Sequence, residues 1–183
     1  MSKSNYVLHK ISILGTPRSG KTTLAVKLAK GIVDNEIKST RGVDFHVISA
    51  EKEGLKLQVW DYAGQDHYAD AGIFDDMVMG ASAFLFCYDA KDPSSMSEID
   101  RWIEIAQHHK RFAETKKYLV GLKADLVDNA SAMGLNSLVK KYLENPDLVE
   151  KHFIVSTHED INLDILVGEL IDDLKSIKKI SPQ

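Results

Sequence analysis

Residues 13–23 read "ILGTPRSGKTT", and the fold turns on how that stretch is read. An apolar run stops at Gly15, a short turn follows, and Lys21-Thr22-Thr23 opens an amphipathic segment. The pattern is G-x-x-x-x-G-K-[ST], with Gly15, Gly20, Lys21 and Thr22 at its fixed positions. Glycines let the backbone curl until successive N–H groups point inward at phosphate oxygens. The helix N-terminus that follows adds partial positive charge. Lys21 can reach the β- and γ-phosphates, and the Thr22 hydroxyl can ligate magnesium. Arg18, Ser19 and Thr23 belong to the same phosphate-contacting loop. Pro17 brings no N–H. The simpler reading sends the Pro17 and Arg18 side chains into solvent, leaving their backbone to face the ligand. The sharper one has Arg18 add positive charge near the γ-phosphate. A glycine turn with a chance lysine would spell the same letters, but the strand before and the helix after favour a phosphate loop. The loop alone does not choose between a kinase, an ATPase and a GTPase.

Outward from the loop, strand-like and helix-like patterns alternate, which points to an α/β fold. Val7 to Leu14 reads as the first strand and residues 21–33 as a helix, with Leu24, Leu28 and Ile32 on one face. Val43 to Ala50 and Leu55 to Trp60 read as an antiparallel pair joined through Lys52-Glu53-Gly54. Ala81 to Tyr88 is apolar almost throughout, as a strand buried on both faces is. A helix from about Ser94, a strand from Tyr118 to Leu122, a helix through Leu135, Leu138, Val139 and Tyr142, a strand from Phe153 to Ser156 and a last helix from Leu163 follow. The expectation is a P-loop NTPase fold: a six-stranded, mostly parallel sheet with one antiparallel strand pair, and about five helices on both faces. Ligands of such sheets bind at the carboxyl ends of the strands.

The bulk numbers exclude several classes. The 183 residues suit one domain, 1–183, and no repeat or linker divides them. A net charge of −4 with both signs interspersed gives no reason to expect nucleic acid as a partner. No apolar run is long enough for a membrane span and no signal peptide is visible. Ser2 and the ending "KKISPQ" offer no lipidation site, so membrane contact is expected only through partners, and a cytoplasmic location follows. The single cysteine, Cys87, lies in an apolar run and reads as a buried structural thiol. His108 and His109 read as solvent-exposed helix residues, with no zinc-ligand spacing nearby.

Three further stretches carry chemistry. "WDYAGQ" puts Asp61 at a strand end, where a carboxylate suits a magnesium-bound water opposite Thr22. Gly64 can bring a backbone N–H to a γ-phosphate, and Gln65 can orient an attacking water. Thr40, in "KSTRGVDFHV", can supply a second hydroxyl to the metal. In "YLVGLKADL", Lys123 and Asp125 follow a buried strand as a ligand-reading pair would, but Leu122 stands where a polar companion is expected.

Together these residues are similar to a Ras-like small GTPase over nearly the whole chain, most similar to the Rab-type branch. "KSTRGVDF", "KLQVWDYAGQD" and "YLVGLKADL" carry the likeness, and Thr40 follows Thr22 by 18 residues, the family's usual spacing. The resemblance implies GTP and GDP binding with Mg2+, and slow hydrolysis with Lys21 and Gln65 in catalytic roles. It also implies two switch loops, around Thr40 and around Gln65 to Met79, through which effectors, exchange factors and GTPase-activating proteins engage. By the same resemblance Asp125 reads the guanine edge, and Lys123 lies along the base. Ser156-Thr157-His158 stands for the family's Ser-Ala-Lys, and Val33 for its stacking aromatic. The family's guanine motif begins with Asn where this chain has Leu122, which gives up the hydrogen bonds that brace the base loop to the phosphate loop. The expected outcome is guanine selectivity with weaker binding and faster exchange. The alternative is a nucleotide-binding interaction module that hardly hydrolyses, and a small-molecule kinase is a distant third.

Overall fold

The computed structural model describes residues 6–33, 42–62 and 77–177. In chain order these form β1 (Val7–Gly15), α1 (Lys21–Lys30), β2 (Val43–Ala50), β3 (Leu55–Tyr62), β4 (Ala81–Asp89), α2 (Ile99–Gln107), β5 (Lys116–Leu122), α3 (Asn129–Leu143), β6 (Lys151–Ile154) and α4 (Leu163–Lys175), with short 3-10 turns between. The sheet runs β2-β3-β1-β4-β5-β6. Only β2 is antiparallel, to β3, and every other pairing is parallel.

Helices cover both faces because the central strands are apolar on both. Ile11, Ile13, Leu57, Leu85 and Val120 face one way, under Leu24 of α1 and Leu166 and Leu170 of α4. Leu14, Phe84, Phe86 and Leu119 face the other, under Trp102 and Ile103 of α2 and Leu135 and Val139 of α3. The outer strand β3 alternates instead: Leu55, Leu57 and Val59 are buried while Lys56, Gln58 and Trp60 are half-buried. Helix α4 is also pinned by charge, since Tyr118 donates to Asp173 and Lys151 reaches both Asp173 and Glu169.

Some boundaries differ from the sequence reading. Helix α1 stops at Lys30, not at residue 33, because Gly31 takes a left-handed φ of 72° and its N–H bonds the Lys27 carbonyl. Ile32, expected on the buried face, is therefore 57% exposed. The helix expected from Ser94 opens as a 3-10 turn, Pro93–Glu98, where the Ser94 N–H donates to the Asp92 carboxylate, and only then becomes α2. Strand β6 ends at Ile154, two residues before Ser156, which instead bridges Ile161. His109 is not a free surface residue: its ring meets Phe84 edge-on at 6.1 Å. No helix among the described residues is long and apolar enough to cross a membrane.

The tightest contact in the sheet lies where β1 ends. Gly15 pairs with Cys87, and a Cβ built on Gly15 would lie 2.0 Å from the Cys87 carbonyl oxygen. Cys87 is fully buried, and burial pushes its thiol up to about 12, so it is inert at neutral pH. Gly15→Ala should cost about 3 kcal/mol or more, since both colliding groups are backbone and neither can swing aside. Chemical denaturation measures this; a loss below about 1 kcal/mol would mean that the two strands separate easily.

Candidate functional site

Five parallel strands deliver their carboxyl ends to one edge of the sheet, and the loops there carry most of the residues singled out in the sequence. Gly15, Gly20 and Arg18 have φ of 143°, 108° and 62°, so the segment between β1 and α1 curls rather than extends. The Pro17 and Arg18 side chains are exposed, as the simpler reading has it, while Ser19 is buried. Ser19 Oγ and Lys21 Nζ both donate to the Thr16 carbonyl, at 3.0 and 2.6 Å, which folds the loop around the lysine. Helix α1 then starts with the Leu24 N–H bonded to the Gly20 carbonyl.

Lys21 is 5% exposed, unusual for an ammonium. Burial draws its pKa below the ordinary lysine value, and the nearby carboxylates of Asp61 and Glu98 oppose that pull. A desolvated cation at a helix N-terminus is stabilised by an anion, so the chemistry of the loop suits phosphate. Beside it, Thr22 Oγ1 donates to Asp61 Oδ2 at 2.5 Å, and Asp61 is fully buried near the end of β3. Two hard oxygen donors converging from α1 and β3 are a donor set that fits magnesium. The third expected ligand, Thr40, lies outside the described residues, as do Gly64 and Gln65. Thr23 is half-buried in the first turn of α1.

The other half of the site follows β5 and β6. Leu122 is 2% exposed, and its Cδ1 and Cβ lie 3.6 and 3.8 Å from where a Cβ on Gly20 would be. The leucine thus packs against the phosphate loop in place of hydrogen bonding to it. A polar tie nevertheless joins the two loops, supplied by its neighbour. Lys123, at φ 65°, donates Nζ to the Arg18 carbonyl at 3.0 Å and to Asp89 Oδ2 at 2.6 Å. The hydrogen bond between these two loops is therefore made by Lys123 and not by residue 122. Asp125 is exposed, and its Oδ1 accepts from Ser156 Oγ, which also receives the Glu159 N–H. The Ala124 N–H bonds the Val155 carbonyl, holding the two base-side loops together. Thr157 is 9% exposed, His158 is exposed, and Val33 is half-buried just beyond α1.

Two residues escaped the sequence reading. Asp89 holds Lys123 from the end of β4, 34 residues away in sequence; a lone carboxylate closing the apolar run "FLFCYD" was the available signal. Asp160 pairs with Lys27 of α1 at 2.7 Å, and nothing local marked it.

Comparison with known proteins gives a consistent result. The Ras family model matches residues 10–175. The chain is 29% identical to the Ras-related protein Rab-13 of Mesocricetus auratus over 176 residues, 95% of this chain and 83% of that one. It is 29% identical to the Ras-related protein RAB1BV of Beta vulgaris over 170 residues, 92% and 76% of the two. Against the Ras-related protein RabV of Dictyostelium discoideum it is 29% identical over 147 residues, 79% of this chain but 61% of that relative's length.

A buried lysine held for an anion costs stability when the ligand is absent. Lys21→Met should leave the midpoint of the ligand-free protein unchanged or raise stability by up to about 2 kcal/mol, while abolishing the thermal shift given by pyrophosphate. A large destabilisation, with the pyrophosphate shift retained, would mean that Lys21 is a structural strut.

Proposed function

The chain belongs to the Ras family, and from that premise we propose that residues 1–183 form one guanine-nucleotide switch domain that binds GTP and GDP with Mg2+, hydrolyses GTP slowly and works in the cytoplasm. The observation that carries this reading is the meeting, at one sheet edge, of a buried ammonium, an oxygen pair for a metal and a carboxylate for a base. They are Lys21, Thr22 with Asp61, and Asp125.

The loop N–H groups from Gly15 to Thr23, with Lys21, hold the phosphates. Thr22, Thr40 and Asp61 would hold a magnesium ion, directly or through water, and the ion would supply positive charge to offset the phosphate charge. Thr40 and the Gly64 N–H close over the γ-phosphate, and Gln65 orients the attacking water. Catalysis of this class is positioning plus charge stabilisation, so a partner's arginine would accelerate it. Asp125 accepts from the ring N–H and the exocyclic amine of guanine, a donor pair that adenine lacks on that edge. Ser156 keeps the carboxylate oriented. The Thr157 N–H meets the base oxygen, with His158 beside it, and Val33 and the Lys123 stem supply apolar contact.

Effectors, exchange factors and activating proteins would engage the switch loops around Thr40 and Gln65 to Met79. The adjoining sheet edge suits them: Phe45 and Val47 of β2 are half exposed, and Phe45 meets Trp60 edge-on at 4.5 Å.

The base contacts are the weak part. Leu122 offers packing without a hydrogen bond, and Val33 offers no stacking. One lost hydrogen bond to a buried polar partner costs about 1–3 kcal/mol, roughly tenfold to a hundredfold in affinity. The same residues, with Pro17, favour the second reading, an interaction module that binds nucleotide and hardly turns it over. Single-turnover hydrolysis, with and without an activating protein, separates the two.

Titration with GTP and ATP should show a clear guanine preference at modest affinity, and Leu122→Asn should slow GDP release by about tenfold. Equal GTP and ATP affinity would overturn the assignment of the base, and an unchanged release rate would remove Leu122 from the account. Gln65→Leu should slow turnover while leaving GTP affinity within about twofold. An unchanged hydrolysis rate would take Gln65 out of the mechanism.

A further inference from the structure

A cavity of about 510 Å3 lies at the opposite end of the sheet, where β4 and β5 begin. Ala81 in its lining is about 20 Å along β4 from Cys87, the residue that pairs with Gly15 of the phosphate loop, at the usual rise per strand residue. Its size falls within the range of small-ligand pockets. Its lining comes from Val78 to Ser82 at the entry to β4, from His108 to Arg111 with Glu114 and Thr115 before β5, and from Ile177 beyond α4.

The first two segments differ in chemistry. In the first, Val78 and Ala81 are buried, and Met79 is 64% exposed despite its apolar side chain. Methionine adapts its shape to an apolar guest at little cost. The second holds the basic run "HHKR", His108 to Arg111. The one acid lining the cavity, Glu114, is already engaged by the Arg111 guanidinium at 2.5 Å. Lys110 makes no ion pair among the described residues. The lining therefore combines apolar side chains with one cation, Lys110, that no acid among the described residues pairs, in a chain whose net charge is −4.

The apolar segment is also held in place. Ser12 Oγ donates to the Met77 carbonyl at 2.7 Å, Lys10 Nζ to the Met79 carbonyl at 3.0 Å, and His9 pairs with Ser82. In the basic segment, Thr115 Oγ1 donates to the Arg111 carbonyl at 2.9 Å, which fixes the basic loop. Both segments are tied to neighbouring backbone, so little ordering is needed when a ligand enters.

We propose that this cavity is a second ligand site, separate from the nucleotide site, that takes a small amphipathic anion. Its unbranched apolar body lies against Val78, Met79 and Ile177, and its carboxylate meets Lys110. The apolar body supplies most of the affinity, and the charge sets orientation and selects against neutral analogues.

The test is calorimetric titration of the full chain with decanoate, decanol and acetate, joined to amide chemical-shift mapping. Decanoate should bind saturably below its micellar concentration, with shifts at Gly80, Ala81 and Thr115. Decanol should bind about fivefold more weakly, and acetate not measurably. Lys110→Glu should weaken decanoate by about fivefold or more and leave decanol unchanged, while Met79→Ser should weaken both. Lys110 and Met79 are both exposed, so both variants should keep the parent melting temperature, which is checked first. Absence of saturable decanoate binding, shifts outside the cavity, equal affinity for decanol, or indifference to Lys110→Glu would each overturn the proposal. None of these readouts involves nucleotide, so their failure is distinguishable from that of the switch reading, although Val78 and Met79 also end the proposed second switch loop.

Discussion

The backbone of Gly15 lies so close to the Cys87 carbonyl that no side chain fits between them. That approach fixes where β1 stops against β4, and hence where the loop around Lys21 begins. It also places the end of β1 level with the core rather than beyond it, so the lysine at the start of α1 is buried instead of solvated. Desolvation then disfavours the bare ammonium, so that an anion beside it would be stabilising. Asp61 is placed by a second pairing, Ile13 of β1 with Asp61 of β3. Two strand pairings of β1 thus set the positions of Lys21 and of the Thr22–Asp61 pair.

Two side chains join the two halves of the candidate site. The Lys123 ammonium lies between the Asp89 carboxylate and the Arg18 carbonyl, while Leu122 rests against Gly20. An ammonium binds by charge with little directional demand, whereas an amide side chain fixes two loops by geometry. The apolar contact at Leu122 adds burial but no direction. On the proposed reading, a site joined in this way would leave the base loop more freedom, which is the ground for expecting guanine selectivity without tight retention.

Much of the fold was legible because periodicity reports burial. Leu55, Leu57 and Val59 alternate with polar residues and form a half-covered outer strand, and the unbroken apolar run before Asp89 forms a central one. The phosphate loop was legible because its glycines answer a backbone need. Other features were decided by competing local chemistry. Ile32 continues the helical pattern of α1, but the left-handed Gly31 ends the helix first. Ser156 looks like the end of a strand, yet its hydroxyl serves Asp125 and its backbone bridges Ile161. The tie from Lys123 to Asp89 and Arg18 joins residues far apart in sequence, which no local pattern encodes. The same holds for the cavity between the "HHKR" loop and the entry to β4.

The central claim is that the phosphate loop and the base loop form one site that reads a guanine nucleotide. Amide chemical-shift mapping of the full chain with Mg2+ and either GDP or ADP tests it directly. GDP should shift Ser19 to Thr22 together with Ala124 to Leu126 and Thr157, at one common midpoint, while ADP leaves the second group still. Equal shifts confined to the phosphate loop for both nucleotides would contradict it.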